Sequence, residues 1–307
     1  MLRLPDHWVW DSWHAHDGAE HHLFFLRASR ALLEPDRRHH RASIGHATSA
    51  DLREWRLQPD ALVHSDFPAW DDRALWTGSV IRQPDGLWRM FFTAISHAEK
   101  GRIQRIGTAV SDDLVTWTRA ADNPLLEADP RWYEKYDPAV WFEEAWRDPY
   151  VFADPGGDGW HMLITARAGG GGVVGHARSA DLLTWKVLPP LTAPARFGHL
   201  EVMRTEVIDG QPLLMFSCGP DLMEEPRGGA VWIAPGDSLL GPWDVEGAVA
   251  LDHPSLYAAQ FIRDGGGWTV LGFRNTENGV FFGEIMDPLP IERDGRGVRL
   301  TRADVRR

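Results

Sequence analysis

Three carboxylic acids lie in apolar or aromatic contexts that are unusual for charged residues. Asp11 lies in WVWDSW, Asp148 in WRDPY and Glu201 in HLEV. An unpaired buried charge is costly, so a strand that needed only to pack would not carry an acid there. Three like charges facing one point should raise at least one pKa, and carboxyl groups whose pKa values differ can act as a protonated acid and an ionised nucleophile. Local hydrogen bonds to turns are the alternative role for each acid.

A recurring phrase, Ser-x-Asp-Leu-x-x-Trp, shows how these acids are spaced along the chain. It occurs as SADLREW, SDDLVTW and SADLLTW, and a degraded copy reads DSLLGPW. The phrase ends at four tryptophans that are 62, 68 and 58 residues apart: Trp55, Trp117, Trp185 and Trp243. A period of this size indicates a modular fold built from repeated supersecondary units.

Each unit contains four predicted strands, which are short runs rich in aromatic and β-branched residues between turn residues. Five such units predict an all-β fold, a five-bladed β-propeller of four-stranded antiparallel blades. No linker rich in Pro, Gly or Ser divides the chain, so we expect residues 1–307 to form a single propeller domain. The predicted blades span residues 8–63, 76–126, 146–191, 199–249 and 254–288. Residues 128–145 are predicted to be an insertion over one end of the disc, and residues after 294 to close the ring or fray.

The repeat places the three acids at near-equivalent positions on the first strands of three blades. Asp11, Asp148 and Glu201 precede the tryptophan of their own unit by 44, 37 and 42 residues. Since the first strand of every propeller blade lines the central channel, we expect the three carboxylates to converge at its mouth.

Composition excludes several classes of partner. The net charge is -12, from 44 acids and 32 bases, which disfavours nucleic acid and anionic membranes because both attract basic surfaces. No window approaches the ~18 apolar residues of a membrane span, and the N-terminus lacks the apolar core of an export signal. The single cysteine, Cys218, excludes an intramolecular disulfide. We therefore expect a cytoplasmic protein that is a monomer or a homodimer.

Tryptophan is abundant, with 16 residues, and several of these lie beside acids. A flat apolar ring next to carboxylates is common where a sugar stacks, although composition alone favours packing in the core for such residues. The histidine pairs at 21–22 and 39–40 are predicted to be solvent-exposed, because adjacent side chains on a strand point to opposite faces. We expect neither a metal nor a cofactor.

The order and spacing of five motifs resemble the fructan-active five-bladed propellers of glycoside hydrolase families 32 and 68, which include β-fructofuranosidases and levansucrases. These motifs are WVWDSW, Arg-Asp-Pro at residues 147–149, HLEV, WTGS at residues 76–79 and SLYAAQ at residues 255–260. The chain lacks the β-sandwich domain that usually follows the propeller in family 32, so none is expected here.

The resemblance implies retaining fructosyl transfer from sucrose or short fructo-oligosaccharides, to water or to a sugar acceptor. Asp11 would be the nucleophile, Glu201 the general acid and base, and Asp148 the transition-state stabiliser that binds sugar hydroxyls. The resemblance also implies a set of substrate-binding residues: Arg147, Trp10, Trp13, Trp76, Ser79, Trp146, His199 and Tyr257.

Two other functions compete with this interpretation. Related propellers cleave arabinofuranosides with inversion, which places the two carboxyl groups ~6.5–9.5 Å apart instead of ~5–5.5 Å. A non-catalytic sugar-binding propeller would keep the tryptophans and tolerate the loss of an acid, and the presence of all three acids disfavours it.

Overall fold

The protein is a five-bladed β-propeller, as the repeat predicted. The computed structural model describes residues 1–223, 230–265 and 267–301. Within these residues there is no α-helix, and three short 3-10 helices span Arg30–Leu32, Pro35–His40 and Pro220–Leu222. Each blade is an antiparallel sheet, and in blades one to four the strands that are consecutive in sequence lie side by side.

The first three blades each contain four strands in sequence order. Blade one comprises β1 (His7–His16), β2 (His21–Ser29), β3 (Ser43–Ser49) and β4 (Arg56–Leu57). Blade two comprises β5 (Ala74–Arg82), β6 (Trp88–Ile95), β7 (Arg105–Ser111) and β8 (Thr118–Arg119). Blade three comprises β9 (Trp146–Ala153), β10 (Trp160–Ala168), β11 (Gly171–Ser179) and β12 (Trp185–Leu188).

Blades four and five complete the ring, and blade five is longer than predicted. Blade four comprises β13 (Glu201–Ile208), β14 (Gln211–Ser217), β15 (Val231–Pro235) and β16 (Val249–Ala250). Blade five comprises β17 (Leu256–Asp264), β18 (Gly267–Glu277), β19 (Val280–Ile285), β20 (Leu289–Asp294) and β21 (Gly297–Leu300). Its third position is an interrupted strand, because β19 and β20 both pair with β18, and β21 is the outermost strand. The predicted end at residue 288 is therefore wrong.

The ring is closed by the N-terminus. Leu2 and Ile285 exchange two backbone hydrogen bonds of 3.0 Å, which joins the start of the chain to blade five. The first strands of neighbouring blades contact one another around the whole ring, so β1, β5, β9, β13 and β17 surround the central channel. Side chains at one end of these strands therefore meet, although they come from distant parts of the sequence.

The repeated phrase Ser-x-Asp-Leu-x-x-Trp forms a turn in which the Ser, Asp and Trp side chains make hydrogen bonds and the Leu side chain is buried. In blade three Ser179 Oγ donates to Asp181 Oδ1 at 3.0 Å, and the same carboxylate oxygen accepts from the backbone N–H groups of Leu183 and Thr184. Leu182 is 1% exposed at a φ of 64°, and its carbonyl accepts a hydrogen bond from the Trp185 indole at 3.1 Å. The phrase therefore encodes a local turn that anchors the outer strand, which explains why it predicted the blades.

The histidines are less exposed than predicted. His22 is buried and contacts His46 at 2.9 Å between Nδ1 and Nε2. Blade three repeats this pair with His161 and His176, again at 2.9 Å, and the other ring nitrogen of His161 lies 3.0 Å from Asp154. A diagonal contact between neighbouring strands gives each ring a polar partner inside the blade, which a strand-alternation argument does not foresee.

Candidate active site

A cavity of about 790 Å³ opens at one end of the central channel. Its lining comes from every blade, and the five inner strands supply Asp11, Thr77, Asp148, Glu201 and Tyr257. A cavity of this size and depth is of the kind that encloses a small-molecule ligand. The convergence of the three acids predicted from the repeat is confirmed.

All five inner strands are irregular where they reach the cavity. The pairing of each inner strand with the second strand of its blade shifts register at this level, and Asp11, Thr77 and Asp148 lie within the shifted segments. Positive φ angles occur at Asp11 (21°), Asp148 (57°), Val202 (50°) and Ala258 (45°). Such bulges turn side chains away from the usual alternation, and strained backbone of this kind is common at functional sites. The bulges are what aim the acids into the cavity.

Asp11 lies beside blade two. Its Oδ2 accepts a hydrogen bond of 2.6 Å from Thr77 Oγ1. Burial first, and then the negative charge of Asp148, raise the pKa of Asp11 to about 7, and the hydrogen bond from Thr77 opposes them. Asp11 therefore holds or loses a proton near neutral pH.

Asp148 is buried at the floor of the cavity, with 2% of its surface exposed. Its Oδ2 accepts hydrogen bonds from Thr165 Oγ1 at 2.9 Å and from the backbone N–H of Val202 at 3.2 Å. Burial raises the pKa of Asp148, while the Arg147 guanidinium, 3.7 Å away, lowers it. Fixed donors on one oxygen leave the other oxygen of this carboxylate available to a ligand.

Glu201 has the opposite environment, because donors hold both of its carboxylate oxygens and His199 Nδ1 lies 3.5 Å from Oε1. Arg147 Nη2 lies 2.6 Å from Glu201 Oε1, and the Tyr257 hydroxyl donates to Oε2. Burial alone would raise the pKa of Glu201, but the contacts with His199, Arg147 and Tyr257 outweigh it and hold the pKa well below its usual range. Burial and the charge of Glu201 also raise the pKa of Tyr257, so its hydroxyl remains protonated and donates.

Arg147 donates hydrogen bonds to four side chains of the site. Besides Glu201, its guanidinium donates to Glu143 Oε1 at 2.7 Å, to Gln104 Oε1 at 3.1 Å and to His199 Nδ1 at 2.9 Å. These partners come from blade two, the insertion and blade four, so one side chain fixes the relative positions of three segments. Burial, followed by the charge of Arg147, lowers the pKa of His199, which therefore accepts as a neutral ring.

The predicted aromatic walls are only partly present. Trp10 and Trp76 line the cavity, and the Trp76 indole donates to the carbonyl of His39 at 2.7 Å. Trp146 has no exposed surface and packs on Tyr133, with ring centroids 4.7 Å apart, so it is a core residue. Trp13 packs on Phe24, and the structure brings neither Trp13 nor Trp146 to the lining of this cavity, where both were predicted.

Ser79 also lies away from the site. It lines a second cavity of about 220 Å³ further along the channel, together with Trp13. Its Oγ accepts a hydrogen bond of 3.1 Å from the backbone N–H of Val151, which links blades two and three. Ser79 and Trp13 each lie two residues beyond a bulged position, which explains why they face the deeper channel.

Residues from four segments of the chain line the cavity but were not predicted from the sequence. These are Thr77 on the inner strand of blade two, Arg38 and His39 on the 3-10 helix Pro35–His40, Glu143 in the insertion, and Asn275 at the end of β18. Glu143 precedes Arg147 by four residues, which was the one signal in the sequence that could have indicated their ion pair. The described residues contain no group of three or more His, Cys, Asp or Glu side chains that could hold a metal ion.

The fold and the acids define a carbohydrate-active propeller, and comparison with known proteins identifies the family. Residues 14–274 match the model of the glycosyl hydrolases family 32 N-terminal domain, so the chain belongs to that family. β-Fructofuranosidase 1 of Zea mays is 35% identical over 89 residues, which are 28% of this chain and 13% of that protein. Fructan 6-exohydrolase of Beta vulgaris is 26% identical over 144 residues, 46% of this chain and 22% of that protein. The chain thus matches less than a quarter of the length of either relative.

Solved structures share the fold over nearly the whole chain. An inulosucrase from Halalkalicoccus jeotgali bound to kestose has a TM-score of 0.79 at 23% identity and covers 98% of this chain and 90% of its own. Fructan 1-exohydrolase IIa from Cichorium intybus has a TM-score of 0.74 at 19% identity, covering 99% and 60%. Levansucrase from Bacillus subtilis has a TM-score of 0.75 at 17% identity, covering 97% and 87%. In the part of this chain that the structure describes, no helix is long and apolar enough to span a bilayer.

Proposed function

We propose that this protein is a retaining glycoside hydrolase or transglycosidase that acts on β-D-fructofuranosides such as sucrose or short fructo-oligosaccharides. The observation that carries the proposal is the meeting of Asp11, Asp148 and Glu201 at one cavity, each in a different electrostatic environment. Membership of family 32 and the names of the relatives support the choice of fructosides.

In the proposed first step, Asp11 attacks the anomeric carbon of the fructosyl unit and Glu201 protonates the leaving oxygen. The step forms a covalent fructosyl-enzyme bond as the glycosidic bond breaks, and the proton of Glu201 passes to the leaving group. Glu201 becomes a carboxylate as this happens. Arg147 and Tyr257 already donate to its two oxygens, so the developing charge meets preorganised donors.

The pKa shifts of Asp11 and Glu201 constrain how the reaction starts. The raised pKa of Asp11 and the lowered pKa of Glu201 favour a shared proton on Asp11, whereas attack needs that proton on Glu201. The reactive form is therefore the minor arrangement of a pair that carries one proton, and the pair titrates as a unit. Activity should fall above about pH 7, because both arrangements disappear when the proton is lost.

Asp148 is the proposed stabiliser of the transition state. Its Oδ2 is held by Thr165 and Val202, so its other oxygen is positioned to accept hydrogen bonds from sugar hydroxyls. Contacts that strengthen as positive charge develops on the sugar ring accelerate the reaction rather than only tightening binding. Trp10 and Trp76 provide the aromatic walls of the same cavity.

The test is release of fructose from sucrose and 1-kestose, with Asp11→Ala and Glu201→Ala as inactivated variants. Asp112→Ala, which removes an exposed acid of the blade-two turn, is the matched control and should leave the rate unchanged. A covalent intermediate predicts that the first-formed product keeps its anomeric configuration, which rapid NMR reads directly. Failure of the intact protein to cleave any fructoside would refute the proposal, and an inverted first product would replace the retaining mechanism by the inverting one.

A cytoplasmic location for this reaction stays a prediction. The single-domain organisation without a β-sandwich, the state as a monomer or homodimer and the lack of a nucleic-acid partner stay predictions.

A further inference from the structure

The second cavity, of about 220 Å³, lies in the central channel beyond the active site, and we call it the channel cavity. All five inner strands line it. Each strand contributes a residue two or three positions beyond its active-site residue, and these residues are Trp13, Ser79, Tyr150, Arg204 and Gln260. A strand rises about 3.3 Å per residue, so the channel cavity lies roughly 7–10 Å along the channel from the carboxylates.

Arg204 places a buried cation in this lining. Its surface is only 5% exposed, and its guanidinium donates to two backbone carbonyls, that of Met203 at 2.8 Å and that of Gly78 at 3.3 Å. The guanidinium carbon also lies 4.9 Å from the centroid of the Tyr150 ring. The ion pairs formed by the described residues do not include Arg204. Arginine stays charged in proteins, and a buried charge without a counter-charge is costly.

The carboxylates of Asp11 and Asp148 act on Arg204 only at longer range. Burial lowers the pKa of Arg204, while Tyr150 and the two acids raise it. Asp148 is already paired with Arg147 at 3.7 Å, and Asp11 is partly protonated near neutral pH because its pKa is raised to about 7. Neither acid therefore supplies a full counter-charge to Arg204.

The other polar groups of the lining include donors and one half-exposed acid. Ser79 Oγ accepts from the backbone N–H of Val151, so its own O–H is available to donate. Burial first, and then His21, lower the pKa of His14 to about 3, so the His14 ring is neutral at ordinary pH. Glu206 lies two residues beyond Arg204 on β13 and is half-buried, so it lies toward the solvent end of the channel cavity.

A ligand can reach the channel cavity without passing through the active site. The residues of its lining that keep partial exposure are His14, Val80, Glu206 and Phe261. Three of these lie further along their inner strands than the buried Trp13, Ser79 and Gln260, and away from the active-site end. The channel cavity is therefore a second site with its own entrance, on the opposite end of the ring.

We propose that the channel cavity binds a small monovalent anion, such as a halide or formate, through the guanidinium of Arg204. The anion supplies the counter-charge that Arg204 lacks, and a hydrogen bond between charged partners is among the strongest in proteins. The Ser79 hydroxyl is placed to donate to the same anion. Glu206 near the entrance repels anions of higher charge, which favours a single negative charge.

An anion at Arg204 also acts on the active site, a consequence that rests on the proposed function. The positive charge of Arg204 favours the ionised form of Asp11, so a counter-ion raises the pKa of Asp11. The other charged groups that act on Asp11 are Asp148, Glu201 and Arg38, and all three line the active-site cavity. Chloride should therefore move the alkaline limb of the kcat/KM profile up by about 0.3–1 pH units.

The binding test uses chloride NMR on the intact protein at pH 8, because exchange of chloride with a protein site broadens its resonance. Arg204→Gln should weaken saturable binding by at least about 10-fold, since a hydrogen bond to a charged group is typically worth 10- to 100-fold in affinity. Glu206→Gln should tighten it by about 2- to 5-fold, because it removes a like charge. Formate and nitrate are added as competitors, and displacement of chloride by formate extends the site to carboxylates.

Arg89→Gln is the matched control. Arg89 is another buried arginine, 7% exposed and bonded to Gln83 and Thr108, and it lines neither cavity. The substitution removes the same charge from the interior of blade two. Arg89→Gln should bind chloride as the wild type does.

Several results would overturn the site. These are the absence of saturable broadening, an equal loss in Arg89→Gln and Arg204→Gln, and weaker binding in Glu206→Gln, since the acid would then be holding the ligand. If Arg204→Gln does not fold, the direction of the change in Glu206→Gln decides. A pH profile that chloride leaves in place overturns the coupling while the site stands. Cleavage of no fructoside overturns the proposed function, and chloride binding is read independently of it.

Discussion

Asp11 should destabilise the fold at neutral and alkaline pH, so replacing it by Asn should stabilise the protein there. Burial and the charge of Asp148 raise the pKa of Asp11 from 3.8 to about 7. Between these values the folded state binds more protons than the unfolded state, and the stability of the wild type therefore falls as pH rises through this window. At 1.36 kcal/mol per pKa unit, the full cost is about 4 kcal/mol, reached above pH 7.

Asn has nearly the shape of Asp and no charge, so Asp11→Asn removes this pH-dependent cost. Its carbonyl keeps the hydrogen bond from Thr77, while its amide N–H groups introduce a constant penalty if they find no acceptor. The constant penalty cancels when the difference in unfolding free energy between variant and wild type is compared at two pH values. We expect that difference to grow in favour of Asn by about 4 kcal/mol between pH 4 and pH 8.

Urea unfolding followed by tryptophan fluorescence measures both free energies, and the midpoint and slope show whether unfolding remains comparable between variants. Asp112→Asn, which also removes one negative charge but from an exposed turn, is the control and should show little dependence on pH. A gain below about 1 kcal/mol for Asp11→Asn between the two pH values would contradict the raised pKa, and with it the argument about the shared proton.

Three further predictions follow from contacts elsewhere in the site and the blades. Thr77→Val removes a hydrogen bond to a charged group worth about 1.5–3 kcal/mol, so the alkaline limb of the kcat/KM profile should move up by about 1–2 pH units, whereas Thr77→Ser should leave it in place. Burial first, and then the charge of His161, lower the pKa of His176 from 6.5 to about 4, so the unfolding free energy should decrease as pH falls from 6.5 toward 4, which urea titrations along that range will show. Asp181→Ala removes the carboxylate that holds two backbone N–H groups, and by analogy with helix caps it should cost about 1 kcal/mol of stability, measurable by thermal unfolding against the conservative Asp181→Asn.

The blades could be predicted because the repeated phrase that marks them is held by contacts between residues close in sequence. In the phrase around Asp181, every hydrogen bond joins residues that are two or three positions apart, so the turn repeats wherever the phrase repeats. The number of blades and the positions of Asp11, Asp148 and Glu201 on inner strands followed from the spacing alone. The prediction ended blade five too early for two reasons. The repeated phrase is not recognisable in that blade, and its third strand is interrupted between β19 and β20.

The roles of individual side chains in the cavity were less predictable, because they depend on backbone irregularities. The bulges decide whether a residue on an inner strand faces the cavity, the deeper channel or the space between blades. Trp10 and Trp13 lie on one strand, yet only Trp10 reaches the cavity, since the bulge at Asp11 separates them. Trp146 is adjacent to Arg147 but packs into the core, and no spacing rule distinguishes it from Trp76.

Arg73, Lys100 and Arg102, which line one edge of the cavity, illustrate a second limit of sequence reasoning. Arg73 and Lys100 are ordinary surface residues in the sequence, and they become neighbours only because the inner strand and a loop of blade two reach the same cavity edge. Their lack of acidic partners is a property of the folded molecule, and composition would have suggested the reverse in a chain with a net charge of -12.

The opposed environments of Asp11 and Glu201 depend on closure of the ring. Asp11 belongs to blade one and Tyr257 to blade five, which lie side by side only because the chain ends meet. The closure is held by the backbone pairing of Leu2 with Ile285 and by Gln260 Nε2, which donates to the carbonyl of Ser12 at 3.2 Å. Tyr257 is one of the donors that keep Glu201 ionised, so a loosened closure would raise the pKa of Glu201 as well as weaken the fold. Stability of the ring and the protonation state of the carboxylate pair are therefore coupled through the contact between the first and last blades.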